Sequence, residues 1–137
     1  MTINIDGASR GNPGPSGIGV VITKNELIIA EYNEFIGKKT NNQAEYAALK
    51  KALQIASTFD NEITVLSDSK LVVSQRNNRY RVRNKQLKVV FREISNLEKQ
   101  FRAVIYRYIP RAKNQYADFL ANRAIDDALK INNTKSI

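Results

Sequence analysis

The chain has 137 residues and a formal net charge of +9, and it contains neither histidine nor cysteine. This length fits one compact domain, and 42% hydrophobic with 26% charged residues is typical of a globular chain rather than a disordered one. Without histidine and cysteine there are no disulfides, thiolate nucleophiles, zinc–thiolate or iron–sulfur sites, and no imidazole bases. Any catalysis must therefore depend on carboxylates, hydroxyls, amines or hard cations.

The first part of the chain has the pattern of an antiparallel sheet. Polar and apolar residues alternate over residues 2–6, which predicts a strand, and a loop rich in glycine and proline is predicted from Gly7 to Gly17. The apolar runs Ile18 to Thr23 and Leu27 to Ile36 predict two more strands. We expect residues 1–36 to form a three-stranded meander.

Beyond this meander, helical and strand patterns alternate. Apolar residues at three- and four-residue spacing indicate helices, and short alternating or apolar runs indicate strands. In chain order we expect a helix from Asn42 to Phe59, a strand from Glu62 to Ser67, a short helix from Ser69 to Gln75, an amphipathic helix over residues 87–101, a strand from Arg102 to Ile109, and a helix from Asn114 to Lys130. A polar tail is expected at residues 131–137.

This order of elements predicts an α/β fold. Strands that alternate with helices are joined by crossovers and lie parallel, so the fold should contain a five-stranded mixed sheet, with three antiparallel and then two parallel strands, flanked by helices. Ligands in such sheets bind beyond the strand ends, near the point where the strand order changes direction.

Positive charge is concentrated in the second half of the chain. Residues 1–68 hold 6 basic and 8 acidic side chains, whereas residues 69–137 hold 16 basic and 5 acidic ones. A run without acidic residues includes Tyr80 and seven basic residues: Arg76, Arg79, Arg81, Arg83, Lys85, Lys88 and Arg92. Such a run favours salt-sensitive binding to nucleic acid phosphates, and a solvated basic helix face is the alternative.

Four carboxylates stand where the predicted elements would expose them near the strand ends. Asp6 ends the first strand, Glu45 lies in the first turn of its helix, Asp68 follows a strand, and Asp118 lies on the last helix. Each has an ordinary alternative. Asp6 opens a turn, Glu45 closes a capping box with Asn42, Asp68 caps the short helix, and Asp118 belongs to a polar stripe.

The sequence around these carboxylates favours a shared role. The four strings are DGASRGNPGPSGIG, TNNQAEYAAL, LSDSKLVV and NQYADFLANRA, and together they resemble the type 1 ribonuclease H family over almost the whole chain. The resemblance implies a ribonuclease H domain over residues 1–130. It also implies that Asp6, Glu45, Asp68 and Asp118 bind two Mg²⁺ ions, with Mn²⁺ as the alternative ion.

The donor chemistry agrees with that implication. Hard divalent cations prefer carboxylate oxygens, and two of them can activate a water and stabilise a leaving oxygen without histidine or cysteine. The resemblance implies hydrolysis of the RNA strand of an RNA:DNA hybrid, leaving 5′-phosphate and 3′-hydroxyl ends. Asp6 would bridge both ions, and Glu45 would lie near the ribose 2′-hydroxyl that distinguishes RNA from DNA.

The resemblance also suggests residues that contact the substrate. Asn12, Asn41 and Asn42 match minor-groove contacts of the family, Thr40 matches a residue that holds a DNA phosphate, and Lys70 stands where some relatives contact the RNA through an amide. Asx turns and helix caps are the ordinary alternatives for these positions.

Two features depart from the family pattern. Many members have a histidine in the loop before the final aspartate, whereas this loop offers Arg111, which is expected to orient a phosphate but cannot accept a proton at neutral pH. We also expect the protein to have neither the basic helix nor the separate hybrid-binding domain of longer relatives, and residues 76–85 are expected to supply some of the phosphate contacts instead.

The leading prediction is a metal-dependent endonuclease that acts on RNA:DNA hybrids, with double-stranded RNA as a second candidate partner. A non-catalytic nucleic-acid-binding module is one alternative, and a resolvase or integrase core is another. The sequence shows no signal peptide or long apolar run, so we expect a cytoplasmic protein with no membrane partner. We expect a monomer.

Overall fold

The computed structural model describes residues 1–77 and 85–135. In chain order the elements are β1 (Thr2–Ser9), β2 (Gly14–Lys24), β3 (Leu27–Lys39), α1 (Asn41–Ala56), β4 (Glu62–Ser67), α2 (Lys70–Arg76), α3 (Lys85–Glu98), β5 (Ala103–Tyr108), a 3₁₀ turn (Arg111–Lys113) and α4 (Gln115–Lys135). The five strands form one sheet in the order β3-β2-β1-β4-β5. This is the predicted α/β fold.

The pairing within the sheet is also as predicted. β1 and β3 both run antiparallel to β2, whereas β4 is parallel to β1 and β5 is parallel to β4. The switch from antiparallel to parallel pairing therefore falls at β1, the strand that carries Asp6.

Helices cover both faces of this sheet. Successive residues of a strand point to opposite faces, and in β2 the side chains of Ile18, Val20 and Ile22 belong to the main core with α1. On the other face, a Cβ on Gly17 or Gly19 would meet the backbone of α4. The main core is thus enclosed between the sheet and the helices that precede β5, and α4 covers the opposite face.

The predicted loop from Gly7 to Gly17 is wrong. β1 continues to Ser9 and β2 begins at Gly14, so the connection is residues 10–13. Gly7 and Gly17 do not belong to a long loop but allow the strands to pack closely on helix backbones. A Cβ on Gly7 would lie 2.2 Å from the carbonyl carbon of Ala44, and one on Gly17 would lie 2.4 Å from the carbonyl oxygen of Ala121.

Helix boundaries also differ from the expectation. α1 ends at Ala56 rather than Phe59, and α4 continues to Lys135, beyond the expected end at Lys130. Part of the basic run, residues 78–84, and the end of the polar tail, residues 136–137, lie outside the described residues. Among the helices of the described part of the chain, none is long and apolar enough to cross a membrane.

We expect Gly19→Ala to destabilise the protein by about 3 kcal/mol, because overpacking a close contact typically costs 1 to 3 kcal/mol. The new Cβ would lie 2.1 Å from the carbonyl oxygen of Ala117, and α4 would have to move. Urea unfolding measures the loss. Gly37→Asn is the control, because Gly37 has φ +79 with no atom within 4 Å of an added Cβ, and asparagine tolerates that backbone. Equal losses in both variants would contradict the close-packing explanation.

Candidate active site and metal centre

An open pocket of about 390 Å³ lies where β1, β4 and β5 meet the first turns of α1 and α4. All four predicted carboxylates line it, together with Tyr108, Arg111, Asn122 and Asn41. The fold therefore brings together side chains that are far apart in the sequence.

Three of the carboxylates form a compact cluster. One carboxylate oxygen each from Asp6, Glu45 and Asp68 lies within 4.8 Å of the other two. Asp118 completes the group, because its side chain lines the same pocket. Asp6 and Glu45 are almost fully buried, with 5% and 9% of their surface exposed.

The close approach of α1 to β1 places Glu45 beside Asp6. Because Gly7 has no Cβ, the backbone of α1 at Ala44 and Glu45 packs directly on β1, and the Gly7 N–H donates to the Glu45 carboxylate. The capping box of α1 is made by Thr40 and Gln43. The alternative that Glu45 closes a capping box with Asn42 is therefore wrong, and the Glu45 carboxylate faces the pocket.

Asp68 is likewise not a helix cap. Ser69 is the N-cap of α2, and its Oγ accepts from the Val72 N–H at 3.2 Å. The Ser69 N–H in turn donates to Ser67 Oγ at 3.0 Å. The hydroxyl oxygens of the two serines thus accept the backbone N–H groups around this turn. The Asp68 carboxylate is not needed as a cap and lines the pocket.

Asp118 is held by groups on either side of it. Asn122 Nδ2 donates to Asp118 Oδ1 at 3.2 Å, and Arg111 Nη2 lies 3.9 Å from the same oxygen. The alternative that Asp118 belongs to a plain solvent-facing stripe is wrong, since its side chain lines the pocket and is 34% exposed.

The buried side chain of Asn114 supports the carboxylate cluster through hydrogen bonds, a role that the sequence did not reveal. It is 1% exposed, and its Nδ2 donates to the Ile5 carbonyl at 2.8 Å and lies 3.4 Å from Asp68 Oδ2. Its Oδ1 accepts from Asn4 Nδ2 at 3.1 Å. The sequence predicts Asn114 as the start of the last helix, four residues before Asp118, and this pattern does not indicate that the side chain is buried.

The buried carboxylates repel one another. Burial, followed by the charges of Glu45 and Asp68, raises the pKa of Asp6 from 3.8 to about 9. Burial and the charge of Asp68 raise the pKa of Glu45 from 4.5 to about 8, against the lowering effect of the Gly7 N–H. Within the described residues, Glu45 Oε2 is buried without a hydrogen-bond partner. A hard divalent cation would neutralise this charge and coordinate that oxygen, so the donor set fits such an ion.

The predicted substrate residues lie around the pocket with different roles in the fold. Asn41 and Arg111 line it, and Asn12 Oδ1 accepts from the Asn41 N–H at 3.0 Å. The Thr40 side chain caps α1, as its ordinary alternative predicted. Asn42 and Lys70 are exposed, Lys70 with its Nζ 5.4 Å from the centre of the Tyr108 ring.

Sequence reasoning missed several pocket residues. Tyr108 and Asn122 line the pocket, and Arg10 contacts Asn122 from the connection between β1 and β2. Tyr108 ends β5, and side chains at strand ends of a mixed sheet are candidates for its ligand site. Asn122 follows Asp118 by four residues, which places the two on one helix face.

The chain is similar in sequence to several known proteins. A family model described as reverse transcriptase-like matches residues 4–124. The bifunctional protein Rv2228c of Mycobacterium tuberculosis is 43% identical over 134 residues, covering 93% of this chain and 36% of that protein. Ribonuclease HI of Halobacterium salinarum is 42% identical over 125 residues, covering 90% of this chain and 63% of that protein. The chain thus spans less than two thirds of the length of either relative.

Solved structures match more completely. LC11-RNase H1, in a crystal structure with an RNA/DNA hybrid, is 41% identical with a TM-score of 0.89, over 93% of this chain and 98% of that chain. RNase H1 from Halobacterium salinarum is 40% identical with a TM-score of 0.88, over 92% and 97% of the two chains. On the strength of the matching family model, these structures and the shared fold, the chain belongs to the type 1 ribonuclease H family.

Proposed function

We propose that this protein is an endoribonuclease that hydrolyses the RNA strand of RNA:DNA hybrids with two Mg²⁺ ions, Mn²⁺ being the alternative ion. The observation that carries the proposal is the joining of Asp6, Glu45, Asp68 and Asp118 in one pocket. The site also contains a buried carboxylate oxygen with no partner in the described residues. A relative of 41% identity that binds an RNA/DNA hybrid supports the substrate class.

The proposed reaction is the attack of water on an RNA phosphodiester. The P–O3′ bond breaks, the phosphate stays on the 5′ oxygen of the downstream fragment, and the 3′ oxygen of the upstream fragment takes up a proton, which leaves 5′-phosphate and 3′-hydroxyl ends. Two divalent cations bound by the carboxylates would activate the water and stabilise the departing oxygen. Asp6 would be a ligand of both ions, as the family resemblance implies.

Other pocket residues orient the substrate. Arg111 places a permanent positive charge 3.9 Å from Asp118 Oδ1, where it would attract a phosphate but not accept a proton. Glu45 and the asparagines of the pocket rim, Asn12 and Asn41, would lie against the ribose side of the RNA strand, where the 2′-hydroxyl distinguishes RNA from DNA. Thr40, Asn42 and Lys70 complete the proposed substrate contacts.

The proposal also covers the extent of the catalytic domain and the role of the basic half of the chain. Residues 1–130 would form the catalytic domain of a cytoplasmic monomer, and residues 131–137 a polar tail. The basic second half of the chain would bind hybrid phosphates, with an affinity that falls as salt concentration rises.

A panel of four end-labelled duplexes of one sequence tests the proposal: RNA:DNA, RNA:RNA, DNA:DNA, and DNA with a single ribonucleotide. We expect Mg²⁺-dependent cutting of the RNA strand of the hybrid, and no cutting in EDTA. End analysis should show 5′-phosphates. Binding of the hybrid without cleavage would favour a non-catalytic module. Cleavage of DNA:DNA as fast as the hybrid would favour a resolvase or integrase type of nuclease.

A further inference from the structure

A chain of polar contacts runs from Asp118 in the pocket to the protein surface. Asn122 Nδ2 donates to Asp118 Oδ1 at 3.2 Å and to the Asp118 carbonyl at 3.0 Å. At the other end of the same amide, Arg10 Nη2 lies 3.4 Å from Asn122 Oδ1 and 3.4 Å from the Asn122 carbonyl oxygen. Asp126 Oδ1 then lies 2.6 Å from Arg10 Nη2.

Arg10 and Asp118 fix the polarity of the Asn122 amide from its two ends. An asparagine amide has a donor end and an acceptor end of nearly the same shape, so its neighbours decide which way it points. The guanidinium of Arg10 requires the acceptor end, which turns the donor end toward Asp118. In the reverse orientation the NH₂ group would face a cation and the oxygen would face a carboxylate, and both contacts would be repulsive.

We infer that Arg10 is a positioning residue that acts on the metal centre through Asn122. By fixing the acceptor end of Asn122, it directs the donor end to Asp118 and holds that carboxylate in the orientation in which it binds a divalent cation. This inference rests on the proposed function, because the carboxylates are taken as metal ligands.

The position of Arg10 in the fold gives this contact a second consequence. Arg10 opens the connection of residues 10–13, and its N–H donates to the Pro15 carbonyl at 2.9 Å. The same connection is joined to the start of α1 through Asn12 Oδ1 and the Asn41 N–H. One short connection therefore contacts both α1, which carries Glu45, and α4, which carries Asp118.

The ion pair itself should contribute little to stability. The side chains of Arg10 and Asp126 are 39% and 64% exposed, and exposed pairs are worth little in water. Loss of Arg10 should therefore leave the thermal midpoint almost unchanged, so an effect on the site can be separated from unfolding.

We expect Arg10→Met to lower kcat for hybrid cleavage about tenfold with little change in KM, as is typical when a partner that orients a metal ligand is lost. The affinity for Mn²⁺, measured by calorimetry without substrate, should fall in the same variant. Arg10→Lys should restore part of both losses. Asp127→Asn is the matched control, because it breaks an exposed pair with Arg123 on the same helix and should change neither quantity.

The decisive measurement repeats Arg10→Met in an Asn122→Ala background. If Arg10 acts through Asn122, its loss should have no further effect there on kcat or on Mn²⁺ affinity. Losses that multiply in the double variant, or a change confined to KM, would overturn the inference and indicate a direct contact with the substrate. If the wild type cleaves no hybrid, the proposed function fails, and the Mn²⁺ affinities still test the role of Arg10.

Discussion

Asp6→Asn should abolish cleavage of the hybrid. Asp6 belongs to the compact carboxylate cluster, and its replacement removes a ligand proposed to be shared by both ions. Several kcal/mol of transition-state stabilisation depend on such a site, and a loss of about 4 kcal/mol corresponds to roughly 10³-fold in rate. Single-turnover cleavage with saturating Mg²⁺ measures the effect. Cleavage at the wild-type rate would disprove the assignment of Asp6.

The same variant should be more stable than the wild type in EDTA. Because burial and two neighbouring carboxylates raise the pKa of Asp6 to about 9, its carboxyl opposes folding at neutral pH. A tenfold change in a protonation equilibrium is worth about 1.4 kcal/mol, so we expect a gain of roughly 2 kcal/mol at pH 7 in urea unfolding. Asp127→Asn, the same chemical change at an exposed position, should give no gain. A destabilised Asp6→Asn protein would show that the fold itself needs the carboxylate.

The stability of the metal-free protein should fall as pH rises from about 4 to about 9. The pKa of Asp6 is raised from 3.8 to about 9 and that of Glu45 from 4.5 to about 8, so in this window the folded state binds more protons than the unfolded state. The free energy of unfolding therefore decreases with rising pH, whereas it is unaffected by these groups below about pH 4.

Mg²⁺ should reverse this trend. The ion competes with protons for the same carboxylates, so its stabilising effect should be small at pH 5.5 and large at pH 8.5, reaching about 2.7 kcal/mol at 100 times its Kd. Thermal melts with Mg²⁺ or EDTA across this range measure the effect. The double variant Asp6→Asn with Glu45→Gln is the control, since it should lose both the pH dependence and the response to Mg²⁺. A Mg²⁺ response that is the same at every pH would contradict the explanation.

The periodicity of apolar residues in the sequence predicted most of the strands and helices, and the types of side chain predicted the kind of site. The alternation of polar and apolar residues over residues 2–6 and the apolar runs after it predicted the strands of the meander. The order of strands and helices along the chain predicted the mixed sheet. The four acidic positions could be selected only because the sequence strings around them together resemble one family, since each position taken alone has an ordinary alternative. Their joining in one pocket required the crossover connections, which the alternation of strands and helices also indicated.

The errors have physical reasons. Glycine permits both loops and close contacts, and only the tertiary structure shows that Gly7 and Gly17 lie against helix backbones. An asparagine before a helix is usually a cap, so the burial of Asn114 and its contact with Asp68 had no local signal. Arg10 and Asp126 lie near opposite ends of the chain, so hydrophobic periodicity, which relates residues close in sequence, could not predict their contact.

The close contact between β2 and α4 limits how this site can change. Across Gly17 and Gly19 the strand meets the helix backbone to backbone, with no layer of side chains whose size could be adjusted. The spacing between Asp6 and Asp118 is consequently set by the main chain. A change in the distance between these two carboxylates therefore requires a change in the path of the backbone itself, and not only the replacement of core side chains.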